Sequence, residues 1–239
     1  FLLEPDVQAA GDRILVYTRN GLTLAGEKGF VHDNIASSVA AIQQLGKENG
    51  FAVEVSDQPT VFTDANLKRY RALIFSNTNN EILDTEEQKA ALQRYIREGG
   101  AFVGIHSACG SMRNWPWFWS MVGGTFVRHP KLQPFAMRVV DRQHPSTSFL
   151  GGTWQWTDEF YFLREMPTGL HVLLAGDLAT LDDPLKPKGE PTRPLAWCQE
   201  FEGGRCWFTA LGHKKEAYAD PTFRKHLVGG ILWALGRAE

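Results

Sequence analysis

The sequence predicts an α/β fold, a mainly parallel sheet flanked by helices with extra strands in the second half. Three observations lead there. Short apolar runs alternate with amphipathic helical stretches up to about residue 105, the rhythm of right-handed βαβ crossovers. The helical stretches carry start and stop signals at both ends. Beyond residue 130 the helical pattern gives way to short strand-like runs and a hairpin, until one closing helix.

Ile14 to Tyr17 is the first strand, and the Gly-rich stretch Asn20 to Gly29 is its loop. A helix follows, with Asp33 or Asn34 as cap, Ile35, Val39, Ile42 and Leu45 at helical spacing, and Gly50 as stop. Phe51 to Val55 is the second strand and Leu73 to Ser76 the third. The stretch "DTEEQKAALQRYIREGG" has Asp84 or Thr85 as cap, an acidic first turn, a basic last turn and Gly99-Gly100 as terminator. Ala101 to Ile105 is the fourth strand. Phe135 to Val140 and Val172 to Leu174 read as further strands, and Pro194 to Phe201 with Arg205 to Leu211 as a hairpin turning at Glu202-Gly203-Gly204. The proline-rich stretch Thr180 to Pro194 is a surface loop, and Pro221 to Leu235 the last helix.

Composition narrows the function classes. The 239 residues are 43% hydrophobic and 22% charged, enough for a sizeable core in a single domain over residues 1–239. The net charge of −2 gives no basic field for a nucleic acid. No apolar run approaches the roughly 20 residues of a membrane helix, so a soluble protein with no membrane partner is expected. Phe1 to Ala10 lacks the basic and apolar regions of a signal peptide, and the compartment, cytoplasmic or periplasmic, stays open. Cys109, Cys198 and Cys206 form no CxxC pair, so neither a disulfide framework nor a zinc knuckle is indicated.

In an open α/β sheet ligands sit beyond the carboxyl ends of the strands, which makes the loops after the first, third and fourth strands neighbours. "GGAFVGIHSACGS" at 99–111 delivers His106 from a strand end into a run of small residues, the setting of a nucleophile elbow without its GxSxG pattern. His32 follows the first strand; Asn79 and, more weakly, Glu81 follow the third; His213 ends the strand "FTALG". His129 and His144 each precede proline, which holds them in extended or turn backbone, and His129 has the better claim. In "DEFY", alternation puts Glu159 and Tyr161 on one side and Asp158 and Phe160 on the other. His171 and His226 read as structural, and Cys109 as a small buried residue. Trp115, Trp117 and Trp119 suit the packing of a surface helix better than a wall for stacking a sugar ring.

Several stretches in order resemble the trehalose-utilisation, or ThuA-like, family: "GFVHDNI" at 29–35, "FSNTNNE" at 75–81, "GGAFVGIHSA" at 99–108, "MVGGTFVRHP" at 121–130, "DRQHP" at 141–145, "DEFY" at 158–161, "PLAW" at 194–197, "GGRCWFTALGH" at 203–213 and "HLVGGILWALG" at 226–236. Phe160 stands where relatives often have tryptophan, and Arg193 where they often have histidine. The resemblance implies a variant of the class I glutamine amidotransferase fold, a flavodoxin-like three-layer sandwich. His106 then occupies the place of the amidotransferase cysteine, and glutaminase chemistry is not expected.

The resemblance also implies a part in disaccharide catabolism through oxidised 3-keto sugars, with a small-molecule carbohydrate as partner. On a keto sugar, His106, His213 and Glu159 are the expected catalytic residues: one imidazole removes the proton next to the carbonyl, the other polarises the oxygen, and the carboxylate orients or serves as base. His32, His129, Asp158, Tyr161 and Asn79 are the expected substrate contacts. A divalent metal such as zinc among His32, His106, His129, Glu159 and His213 is the second mechanism, though no local signature such as HExxH supports it. A hydrolase, lyase or isomerase is compatible with either. The reading from a different class is a non-catalytic sugar- or protein-binding module that has lost the cysteine.

Overall fold

Arg13–Tyr17 (β1), Ala52–Ser56 (β2), Ala72–Ser76 (β3) and Ala101–Ile105 (β4) are the strands expected from the alternating first half. They belong to a computed structural model that describes residues 11–238; the expectation about Phe1 to Ala10 lies outside the described residues. Between them run α1 (Ile35–Asn49), a short α2 (Asp64–Leu67) and α3 (Glu86–Arg97). Gly50 ends α1 in the left-handed conformation, at φ 71°. Thr85 caps α3 in a capping box with Gln88. Asn34 holds the cap position of α1 but makes no side-chain cap bond there, because its amide reaches the candidate site instead.

The second half adds α4 (Pro116–Val122), β5 (Thr125–Arg128), β6 (Gln133–Val139), β7 (Thr153–Asp158), β8 (Phe162–Arg164), β9 (His171–Asp177), β10 (Thr192–Phe201), β11 (Gly204–Thr209) and α5 (Pro221–Ala234). One nine-stranded sheet runs β2-β1-β3-β4-β11-β10-β9-β6-β7. From β2 to β11 the pairing is parallel, the 2-1-3-4-5 order of flavodoxin-like sheets, and from β11 to β7 it is antiparallel. The hairpin of β10 and β11 thus changes the sheet from parallel to antiparallel. Three strands were not expected: β7, at the sheet edge after Gly151-Gly152, and the pair β5 and β8, which form a separate two-stranded sheet. β5 lies against the turn that follows β4.

Helix α1 packs with α5, and α2 with α3, as helical layers on the sheet. Phe75, Phe102 and Phe118 interlock on one side, and Trp197 stacks on Phe208 at 4.6 Å. Each such fully buried aromatic stabilises the fold by about 1.5–3 kcal/mol. Among the described residues, no helix is long and apolar enough to cross a membrane.

His226 is structural, as expected. It lies fully buried in α5, donating from Nδ1 to the Ser146 carbonyl at 2.9 Å and accepting at Nε2 from the Thr209 hydroxyl at 3.1 Å. Burial pushes its pKa down to about 4. Above pH 6.5 this imidazole is neutral in folded and unfolded chains alike. Between about 6.5 and 4 the unfolded chain takes up a proton that the folded one refuses, so stability falls by up to about 3 kcal/mol; below 4 the loss stops. Denaturant titrations at pH 7 and 4.5 are expected to show a smaller pH-dependent loss for His226→Gln than for the parent. Equal losses would place the acid sensitivity elsewhere.

Candidate active site

The carboxyl ends of β1, β3, β4 and β11 open on one crevice, and the loops leaving them bring the ionisable residues together. His106 is the first residue after β4 and opens a 3-10 turn, His106–Gly110, whose small residues are all buried. Its φ is +53°, a left-handed conformation that costs a non-glycine residue on the order of 1 kcal/mol or more. The strain is held by a bond from Nδ1 to the Ala210 carbonyl beyond β11, at 2.7 Å. A carbonyl can only accept, so Nδ1 carries the proton and Nε2 presents its lone pair.

Around that lone pair stand the Tyr161 hydroxyl at 2.8 Å, His32 Nε2 at 3.2 Å and Glu159 Oε2 at 3.4 Å. His213 Nδ1 lies 3.2 Å from the same Glu159 oxygen, while His129 Nε2 lies 3.4 Å from the other. One ligand atom each from His32, His106, Glu159 and His213 falls within 4.8 Å of every other. His213 Nδ1 is buried without a well-directed hydrogen bond.

The electrostatics divide these groups. Burial, reinforced by the neighbouring His106 and His213, lowers His32 to about 3, so it stays a neutral imidazole. Burial alone would raise Glu159, but His106 and His213 outweigh it and hold the carboxyl well below its usual range. The Glu159 contact in turn raises His213 against the opposing effect of burial. Burial keeps Tyr161 a protonated phenol that donates to His106. It also pushes the Cys109 thiol up; Cys109 is enclosed and bonds back to the His106 carbonyl, so it offers no thiolate to the crevice.

A cavity of about 290 Å³ opens on this cluster, lined by His32, Ser107, His129, Glu159 and Tyr161 together with Phe30, Asn79, Gly110, Arg113 and Phe126. That is the small end of ligand cavities, of a size to seat one sugar ring.

A family model described as trehalose utilisation, ThuA, matches residues 14–234. The chain belongs to the ThuA family. A ThuA-like protein from Bacteroides uniformis ATCC 8492 superimposes at a TM-score of 0.76 with 23% identity, over 100% of this chain and 97% of that one. A ThuA-like protein from Parabacteroides merdae ATCC 43184 does so at 0.73 with 19% identity, over 95% and 91%. A cytoplasmic protein from Salmonella typhimurium follows at 0.64 with 10% identity, over 92% and 98%. No protein of curated function matches the sequence significantly.

Of the residues expected at the site of this ThuA chain, His32, His106, His129, Glu159, Tyr161, His213 and Asn79 all come together. Two differ in role from the expectation. Asp158 is not a substrate contact: it is fully buried, and its oxygens accept from the backbone N–H groups of Glu159, Gly212 and His213 and from Trp156 Nε1, at 2.8–3.1 Å. His129 stands apart from the four-donor group, because its Nδ1 is turned to the Pro130 carbonyl and its Nε2 to the outer Glu159 oxygen.

Asp158 shares its task with Asn34, whose amide donates to the carbonyls of Gly212 and His213 at 2.6 and 2.8 Å. Together they clamp the peptide that aims His213. Gly212 itself sits at φ +111°, and a Cβ there would come within 2.8 Å of the Tyr218 hydroxyl. Glu81, His144 and His171 are not on the cavity wall. Trp115 and Trp117 stack on each other at 5.2 Å outside it, so the aromatic surfaces of the cavity are Phe30, Phe126 and Tyr161. Phe30 and Arg113 had no marker in the sequence beyond lying in loops that follow strands, and Phe126 lies in β5, a strand that was not expected.

Proposed function

We propose that the chain, as one domain, is a divalent-metal-dependent enzyme that processes an oxidised sugar of monosaccharide size. The observation that carries this reading is the convergence of three imidazole nitrogens and one carboxylate within 4.8 Å at the end of a sugar-sized cavity. The donor set fits zinc or a similar ion. Three of the separations, 3.2–3.4 Å, are those of atoms sharing one ion at about 2.0–2.1 Å, for which tetrahedral edges are roughly 3.3–3.4 Å, and all pairs lie within 4.8 Å. His106 is oriented by a carbonyl behind it, the usual support of a metal-ligating imidazole. The poorly satisfied Nδ1 of His213 is a further donor awaiting a partner.

A bound ion of this kind supplies Lewis-acid polarisation of a sugar carbonyl. The chain does the rest. Phe30 and Phe126 offer apolar faces to the ring, and Asn79 and Ser107 offer hydrogen bonds to its hydroxyls. His129, half-exposed and joined to the outer Glu159 oxygen, is placed to carry the proton from the carbon next to the carbonyl towards solvent. The Tyr161 phenol stays protonated and can donate to oxygen as charge builds there.

Zinc and manganese content, measured by elemental analysis after loading and exhaustive dialysis, is expected to approach one ion per chain, and to vanish in His106→Ala. Calorimetry with 3-keto and unoxidised monosaccharides is expected to show binding that the loaded ion strengthens for the keto sugar. A parent protein that retains no metal would overturn the metal reading, and one that binds no sugar would overturn the carbohydrate reading.

A further inference from the structure

We infer that the cavity recognises a carboxylate through Arg113, so that the sugar it takes is a sugar acid, a uronate or an aldonate; the inference rests on the cavity being a sugar site. Arg113 lines the same wall as Glu159 and His129. Its Nε donates to the Gly110 carbonyl at 3.0 Å, and its Cζ lies 5.4 Å from the centre of the Phe126 ring. Those two contacts fix the guanidinium plane while its two Nη groups have no hydrogen-bonded acceptor and no ion pair among the described residues. Other arginines of the chain spend theirs: Arg19 on Asp84, Arg69 on Glu54, Arg128 on Asp183 and the Leu185 carbonyl, and Arg224 on Glu48.

The site is also shaped to keep the fork where it is. Gly110 lies between Arg113 and Asn79: a Cβ there would come within 2.7 Å of Asn79 Oδ1 and 3.3 Å of Arg113 Nη2. A held guanidinium with both Nη groups open is the complement of a planar carboxylate, which it takes through two parallel hydrogen bonds. Charge argues the same way. Among the described residues Arg113 is the one permanently cationic side chain on the cavity wall, and no lysine joins it. One guanidinium fork matches one carboxylate, whereas phosphate sites gather several cations and backbone N–H groups. A carboxylate at Arg113 leaves the rest of the ring for Glu159 and His129 on the same cavity wall.

Calorimetry on the full chain, with and without zinc, tests this with glucuronate, gluconate, glucose, glucose 6-phosphate and lactate as probes. The sugar acids are expected to bind more tightly than glucose. In Arg113→Gln the ratio of sugar-acid to glucose affinity is expected to collapse by about 10- to 100-fold, and Arg113→Lys, which keeps the charge but not the fork, to restore only part of it. Unchanged thermal melting of both variants shows that they fold. Sugar acids binding no better than glucose would overturn the inference and leave the sugar reading standing, as would equal weakening of both by Arg113→Gln. Preference for glucose 6-phosphate would make it a phosphate site and overturn the carboxylate. Arg113-dependent binding of lactate with no sugar bound would uphold the carboxylate contact and overturn the sugar reading; binding of none of the probes would overturn both.

Discussion

Glu159→Gln is expected to fold and to lose zinc affinity by on the order of a hundredfold or more, with turnover of a keto sugar falling alongside. Glutamine has the same shape, and the side chain opens on the cavity, so packing is barely disturbed. What goes is the one anion among His32, His106, His129 and His213. Partners that merely orient metal ligands already cost 10- to 100-fold when removed, and a ligand that also cancels charge costs more. Competition with a chromogenic chelator reads the affinity, and thermal melting without metal checks the fold. Zinc held at the parental affinity would remove Glu159 from the donor set.

The second large effect is expected at a residue that touches nothing in the cavity. Asp158→Ala leaves four N–H donors, two buried and two partly buried, without their acceptor. At about 1–3 kcal/mol for each unmet group, the loss is about 4 kcal/mol or more, which is large against the whole stability of a domain. Asp158→Asn is milder in volume but turns an NH2 group towards N–H donors, so it too is expected to destabilise, by about 2 kcal/mol. Folded Asp158→Asn is further expected to bind zinc more weakly, since the peptide that aims His213 has lost its clamp. Urea titration gives the first number and metal competition the second. Parental values for both would make the clamp dispensable.

These two neighbours show what the sequence could reveal and what it could not. Alternation along "DEFY" separated Glu159 and Tyr161, on the cavity wall, from the fully buried Asp158 and Phe160, although the last strand residue is Asp158 and the other three lie in the connection to β8. It could not say what waited on the inner side, since the N–H groups of Gly212 and His213 come from a loop some fifty residues on. His32, His106 and His213 were legible because each leaves a strand end, and a parallel sheet gathers those ends. Asn34 does hold the cap position read for it, but its side chain serves a long-range contact instead of the local capping bond. Strand β7 escaped because its tryptophans at 154 and 156 and the glycines before it resemble a loop when the pairing with β6 is unseen. Arg113 could not be found by any pattern: its significance is the absence of an acid beside it, and only the folded chain shows that.

The four donors lie on four separate connections, at residues 32, 106, 159 and 213, and the residues that aim the last of them sit at 34 and 158. No single connection cut from this protein carries more than one of the four. Loop grafting onto another sheet, which moves many binding sites between scaffolds, would therefore fail here unless every connection and both clamps moved together. Diversification within this fold is channelled instead towards the rim, where Phe30, Phe126 and Arg113 can change one at a time without disturbing the centre.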